Sequence, residues 1–326
     1  MIKTAESVSP KHPDKLCDQA SDAILDALIE QDPKTRCAIE VMGGHGKAIV
    51  MGEVTTKADI DYKGIVQRVT GLKSVEVVVE KQSPFIAQGV DAGGAGDQGI
   101  MVGYACSENK GLVPQEHYLA RSLCRYIYNQ HPYDGKTQIS INEDKFDIVA
   151  SFQSITSPAL KSLVEDWANQ SLPQNKKARV FINPSGDWTQ GGFDADTGLT
   201  GRKIVVDAYG ARVPVGGGAF SGKDLSKVDR AGAYFARKKA VELLKEHNAS
   251  EVLIQVAYAI GVKLPVELKI RINKENAYHE IPHWLYEEFS ADKIRNEIKV
   301  SSFEETAKWG HFGNGFPWDI PRITNG

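Results

Sequence analysis

An α+β fold is what this sequence predicts, and three observations lead to it. Segments with helical periodicity and segments with strand alternation recur in three loosely similar thirds of the chain. Neighbouring strand-like runs are joined by short glycine-rich or polar turns, the mark of hairpins and antiparallel pairing. No βαβα alternation is regular enough for a doubly wound parallel sheet. The length of 326 residues suggests two or three closely packed units, at roughly 150 residues each.

The elements follow in order. A helix is expected over residues 14–31, where Leu16, Ala20, Ala23, Ile24, Ala27 and Leu28 recur at three- and four-residue steps and Asp18, Asp22 and Asp26 take the other face. Asp32-Pro33 ends it, because proline disfavours a helical residue before it. Runs 37–42 and 47–54 read as a hairpin across Gly43-Gly44-His45-Gly46, and 74–80 as a further strand. Residues 89–99 form a glycine-rich loop with two aspartates, 101–105 a strand and 117–129 a helix. In the middle third, 138–141 and 146–152 pair around the turn 142–145, followed by a helix over 158–170 and a strand over 179–182. The last third opens on a strand at 202–207 and a loop holding Gly216-Gly217-Gly218. A helix begins near Asp229, whose side chain suits an N-cap, and runs past Val241 and Leu244 to a positive end at Lys245. Strands at 252–258 and 267–273 complete the pattern.

Composition narrows the function classes. Hydrophobic content of 41% and charged content of 25% are those of a soluble globular chain with a sizeable core. A net charge of −3 exerts no global pull toward nucleic acid or an anionic membrane. Met1 to Ser7 has no apolar stretch suited to a secretory signal, and no run approaches the ~20 apolar residues that span a bilayer. Cys17, Cys37, Cys106 and Cys124 are scattered and form no Cys-x-x-Cys pair, so reduced, buried thiols of a cytoplasmic protein are expected.

Three motifs match on paper and are set aside. Gly94-Ala95-Gly96-Asp97-Gln98-Gly99 fits the dinucleotide fingerprint, but a loop precedes it and a strand follows, the reverse of the required context. His279-Glu280-Ile281-Pro282-His283 fits a zinc-protease pattern that needs a continuous helix, which Pro282 opposes, so a polar turn before an amphipathic helix is expected. Gly217 to Lys223 spells most of a phosphate loop, but Asp224 stands where Ser or Thr would hold Mg²⁺.

Two segments retain a chemical meaning. The loop 216–230 and the upstream Gly198-Leu199-Thr200-Gly201-Arg202-Lys203 set five cations among glycines, a composition suited to a polyanion; a solvated surface loop fits equally well. His12-Pro13-Asp14-Lys15 enters the first helix, where an N-terminus favours anions, Asp14 offers oxygen to Mg²⁺, and His12 and Lys15 donate to phosphate. An ordinary helix cap is the competing reading.

Taken together, these segments resemble the S-adenosylmethionine synthetases. His-Pro-Asp-Lys, the 94–99 glycine motif, Gly-Leu-Thr-Gly-Arg-Lys and the 216–230 loop occur in that family's order, joined by Glu-Gln-Asp-Pro (30–33), Gly-Glu-Val-Thr-Thr (52–56), Lys-Gln-Ser-Pro (81–84), Tyr-Ala-Ile-Gly-Val (258–262), Gly-His-Phe-Gly (310–313) and Phe-Pro-Trp (316–318). The resemblance implies three similar α/β units about a pseudo-threefold axis, here 1–97, 98–190 and 191–326, interlaced in sequence. It implies synthesis of S-adenosyl-L-methionine from ATP and L-methionine, with hydrolysis of the triphosphate to pyrophosphate and phosphate. It also implies two Mg²⁺ per site, K⁺, and a homodimer or dimer of dimers whose active sites are shared between chains, with the groups of His12 and Glu53 on one chain and the carboxy-terminal lysines on the other for some contacts.

The same resemblance assigns residues. His12 would touch the leaving oxygen, with Lys136, Arg202 and Lys223 as further catalytic groups. ATP would lie against His12, Asp134, Gly135, Lys136, Trp188, Thr189, Asp196, Arg202, Lys203, Ala219 and Lys223. Methionine would meet Glu53, Gln82, Asp196 and Lys227. Asp14 and Asp229 would hold Mg²⁺, and Glu40 would hold K⁺.

Departures from the family pattern are local. The stretch between Gly71 and Lys81 is short, and the loop 88–97, in the place of a lid, is cut down, so it should exclude water less completely or open faster. Trp188 replaces the usual phenylalanine against adenine, Ser154 takes the place of a histidine, and Pro10-Lys11 precedes His12. A triphosphatase without methionine chemistry and a non-catalytic nucleotide-binding subunit are the alternative functions.

Overall fold

The computed structural model describes residues 3–82, 93–174, 177–274, 277–280 and 286–320. Their strands form three four-stranded sheets. The first contains β2 (Arg36–Gly44), β3 (Lys47–Thr55), β4 (Ser74–Glu80) and β9 (Gly198–Leu199), in the order β4-β3-β2-β9. The second contains β1 (Lys3–Val8), β6 (Gly135–Asn142), β7 (Lys145–Phe152) and β8 (Lys177–Ile182), in the order β1-β6-β7-β8. The third contains β5 (Gly99–Cys106), β10 (Glu251–Tyr258), β11 (Glu267–Lys274) and β12 (Ala277–Glu280), in the order β12-β11-β10-β5.

Each sheet grows from a hairpin, β2-β3, β6-β7 or β10-β11, and each receives an antiparallel strand from elsewhere on its first member. The donation is cyclic: β1 goes to the central hairpin, β5 to the last and β9 to the first. Three similar units linked in this way close on themselves, as an arrangement about a threefold axis requires. The expected hairpins are present; His45 and Gly46, at φ 51° and 82°, make the tight turn between β2 and β3.

The helices are α1 (Pro13–Gln31), α2 (Tyr62–Thr70), α3 (Gln115–Gln130), α4 (Ser157–Ser171), α5 (Ile204–Asp207), α6 (Val228–Glu246), α7 (Ala291–Glu297) and α8 (Phe303–Lys308). The short α2, which local periodicity does not reveal, is capped by Asp61 and ends at Gly71. The expected strand at 202–207 is instead the single turn α5, because burying Val206 and Asp207 beneath α1 outweighs the strand preference of Ile204-Val205-Val206. Helix α6 starts one residue early, with Lys227 at the cap position, so Asp229 lies in the first turn and is not the N-cap. The pair His279-Glu280 belongs to β12 rather than a turn, and 281–285 lies outside the described residues.

Helix α1 is not amphipathic in its setting. Asp18 and Asp22 are fully buried, Asp22 against Arg230 at 2.6 Å, while Asp26 caps α8 by accepting from the Phe303 N–H at 2.7 Å. The face that carries Asp22 and Asp26 meets the last third of the chain. One hydrophobic cluster lies under each sheet, and all four cysteines are buried and unbonded. No described helix is long and apolar enough to cross a membrane.

Two histidines are sealed in this interior. Burial holds His117 and His311 well below the usual histidine pKa, helped by Arg121 for the first and by Arg230 and Lys15 for the second. The unfolded chain takes up a proton near pH 6.5 that the native chain refuses, so this stability is complete above that pH and is lost as pH falls. Urea unfolding of His117→Gln beside the native chain should show a shallower acid loss, by about 1.4 kcal/mol per pH unit below 6.5. Identical slopes would refute the assignment.

Candidate active site

The first cluster forms where α1 begins. Pairing of Val8 with Lys136, and the Ser9 N–H donating to the Gly135 carbonyl at 2.9 Å, bring the start of β6 beside the 9–12 loop. Asp134 accepts from the Gly192 N–H at 2.9 Å, drawing in the segment 188–196. From the other side, β9 crosses the helix N-terminus: Leu199 and Gly201 donate to Asp14 and Asp18 at 3.0 and 2.8 Å. The approach is so close that a Cβ at Gly198 would overlap the Pro13 carbonyl.

His12 caps α1, its Nδ1 accepting the Asp14 N–H at 3.2 Å. The acceptor nitrogen carries no proton, so the neutral ring keeps its proton on Nε2 as a donor. Burial, then the Lys203 and Lys136 cations, push its pKa down to about 3, which keeps it neutral near pH 7. Asp14 is buried and pairs with Lys203 at 2.5 Å and Arg202 at 3.2 Å. Burial works to raise its pKa, but the Lys203 ammonium and the Leu199 N–H outweigh it, and the net shift is downward. Lys136, Asp196 and Thr189 are exposed. Trp188 is half-buried, its indole N–H donating to Ser151 Oγ at 3.1 Å, and Gln153 holds the Thr189 carbonyl at 2.9 Å.

Lys15 requires a correction. It does not reach toward phosphate: it is 2% exposed and bound to Asp207 at 2.6 Å and Asp18 at 3.1 Å. The lysine points into the protein because α5 delivers Asp207 beneath the helix.

The second cluster is the 216–230 loop, which is laced to the free edge of β2 and is not solvated throughout. Ile39 donates to the Gly222 carbonyl at 3.0 Å, Cys37 to Asp224 Oδ2 at 3.1 Å, and Gly222 to Asp22 Oδ1 at 2.8 Å. Gly222, at φ 80°, passes where a Cβ would strike the Ile39 carbonyl. Lys223 pairs with Asp229 at 2.6 Å and Lys227 with Asp224 at 3.3 Å. Gly218 and Gly99 abut the Asp229 carboxylate, and Ala219 lies against Gly201.

The predicted residues therefore fall into two groups within one chain. His12, Asp14, Lys136, Asp196, Arg202 and Lys203 lie together, and the cations that weigh most on His12 are Lys203 and Lys136, not those of the 216–230 loop. Glu53 keeps company with the loop: Lys223, Ala38, Glu53 and Glu80 line up across the first sheet. Glu40 is exposed two residues from Ala38, and Gln82, two past Glu80, is 9% exposed with its buried Oε1 unpartnered among the described residues. The part of the lid at 88–92 lies outside the described residues.

Comparison with known proteins settles which family builds such a site. Three family models match in sequence: S-adenosylmethionine synthetase N-terminal domain over residues 1–87, central domain over 92–188 and C-terminal domain over 190–320. The chain belongs to the S-adenosylmethionine synthetase family. It is 36% identical to the S-adenosylmethionine synthase of Prochlorococcus marinus (strain MIT 9515), covering 99% of this chain and 96% of that protein. It is likewise 36% identical to the S-adenosylmethionine synthase of Petrotoga mobilis, covering 98% and 96%. The first alignment runs over 396 positions against a chain of 326 residues, so this is a compact member of the family.

For a synthetase of this family, the 94–99 glycine motif regains meaning. It fails as a dinucleotide fingerprint but is one of the motifs that carry the family resemblance, and Gly99 leads into β5 beside Asp229. The available signal was two glycine-rich segments, each flanking an aspartate. Asp207 and Asp22 also brace the elements that carry these residues, and only long-range pairing with Lys15 and Arg230 exposes that role.

Proposed function

We propose that this chain synthesises S-adenosyl-L-methionine through a site whose leaving-group half is the His12 cluster. The methionine sulfur lone pair attacks carbon 5′ of ATP; the C–S bond forms as the C–O bond breaks, and the electron pair leaves with the triphosphate. Hydrolysis then divides triphosphate into pyrophosphate and phosphate. A thioether needs no base, so catalysis rests on alignment and on stabilising the departing charge. The neutral His12 donor at a helix N-terminus, flanked by Lys136, Arg202 and Lys203, is the observation that carries this reading.

Asp14 and Asp229 suit Mg²⁺, which takes one or two carboxylates and leaves its other positions to phosphate and water. Each is paired with a lysine, Lys203 or Lys223, that is also suited to phosphate oxygens. Mg²⁺ would offset charge on the triphosphate oxygens. Exposed Glu40 offers a carboxylate for K⁺. Trp188 would stack on adenine between Asp134, Gly135 and Thr189, Asp196 would bridge the two substrates, and Glu53, Gln82 and Lys227 would hold methionine.

A homodimer or dimer of dimers would join the two half-sites across chains. In support, the outer face of the first sheet exposes Met42, Met51 and Val78 by 40–53% beside Glu40 and Glu53. Such an apolar face suits a second copy. No nucleic-acid or membrane partner is proposed, and a cytoplasmic location fits the composition.

Incubation with ATP, Mg²⁺, K⁺ and methionine should yield sulfonium product, pyrophosphate and phosphate in equal amounts. Triphosphate cleavage without sulfonium, or ATP binding without turnover, would sink the reading. Lys203→Met should lower kcat/KM by about ten- to a hundredfold, the value of a charged hydrogen bond in the transition state. An unchanged kcat/KM would remove Lys203 from the leaving-group site.

A further inference from the structure

Away from both clusters, a cavity of about 500 Å³ opens between α3 and the chain at 313–320, lined by Lys110, Tyr118, Arg121, Arg125, Asn314 and Ile320 among others. Arg121 is 4% exposed, and the acceptors it reaches are the uncharged carbonyls of Trp309, Phe312 and Gly313 at 3.3, 2.7 and 3.2 Å. Arg125, one turn further along α3, donates to Asn314 Oδ1 at 2.7 Å and lies over the Trp309 ring at 5.0 Å. Its buried Nε has no acceptor among the described residues. Lys110 is exposed, with no carboxylate partner among the described residues.

The carboxylate in the wall does not balance these cations. Asp319 pairs with Arg237 at 2.9 Å and accepts from the Gly313 and Asn314 N–H groups at 2.8 and 2.9 Å. Burial, reinforced by Arg125, pulls the Arg121 pKa down to about 9 even though Asp319 works to raise it, so that carboxylate does not offset the burial of the cation. A buried charge without a counter-charge is costly, and the guanidinium fork matches the oxygens of phosphate or carboxylate. The volume falls within the range of small-molecule sites, so an ion alone would leave it part-filled.

We propose that this cavity binds a small organic oxyanion, its phosphate or carboxylate group held by Arg121 and Arg125 and approached past Lys110. Tyr118 and Ile320 would cover the rest of the molecule. The site is independent of the substrate clusters and uses none of their residues.

Equilibrium dialysis with labelled inorganic phosphate and, separately, citrate at constant ionic strength tests this on the full chain. The native chain should bind one equivalent more of at least one anion than Arg125→Gln, whose affinity at this site should fall at least about tenfold. Lys110→Gln should weaken the same binding by a few-fold and leave turnover unchanged. A loss confined to phosphate identifies a phosphorylated ligand, and one confined to citrate a carboxylate. If Arg125→Gln does not fold, Lys110→Gln alone carries the test. Native stoichiometry and affinity for both anions in every folded variant would overturn the proposal.

Discussion

Exchanging His12 for asparagine is expected to slow sulfonium formation by about two to three orders of magnitude while ATP binding changes little. Asparagine is a good helix cap and can still accept the Asp14 N–H that His12 Nδ1 accepts at 3.2 Å. The fold of the α1 N-terminus should therefore survive. What disappears is the Nε2 donor, which in the proposed mechanism meets an oxygen whose charge grows only as the C–O bond breaks. An interaction made in the transition state alone costs kcat and leaves ground-state affinity nearly intact. Rapid-quench measurement of S-adenosylmethionine, beside equilibrium binding of ATP, checks the split. Native sulfonium formation in the variant would remove His12 from the chemistry, and a parallel loss of ATP binding would make it a structural cap.

Arg230→Met should cost roughly 3–5 kcal/mol of stability, because it strands Asp22 without its counter-charge. Both side chains are fully buried, and the guanidinium meets Asp22 through two bonds of 2.6 and 2.8 Å. It also donates to the Lys223 carbonyl at 3.0 Å and to Thr306 at 2.9 Å. One residue thus ties α1, the 216–230 loop and α8 together. Urea unfolding should show a lowered midpoint, and the double variant Asp22→Leu/Arg230→Met should recover a large part of the loss, since it buries no orphan charge. A single-variant loss below about 1 kcal/mol would show that the pair is not what holds these elements.

Much of this architecture is legible locally. The hairpins at 36–55 and 135–152 announce themselves by alternation around short turns, and α1 by its apolar spacing, because those signals act between near neighbours. The short α5 is a different case. Ile204-Val205-Val206 reads as strand, but burial of Asp207 against Lys15 decides for a helical turn. Lys15 illustrates the same limit at the site: beside His12 and Asp14 it looks like a phosphate ligand until a carboxylate from residue 207 claims it. The oxyanion cavity had no sequence signal at all, since Arg121 and Arg125 are ordinary helix arginines until the chain near residue 313 folds over them.

The sequence by itself determined the family and the α+β class, and it named candidate groups for a polyphosphate, because these rest on residue type, spacing and local period. Only the tertiary structure decided how those groups are distributed: β9 brings Arg202 and Lys203 to Asp14, while β2 holds Lys223 and Glu53 in a separate row. The reason is physical. Hydrogen-bonded pairing between strands more than a hundred residues apart, and the burial of Asp22 and Asp207 against distant cations, are free energies that no local window of residues contains.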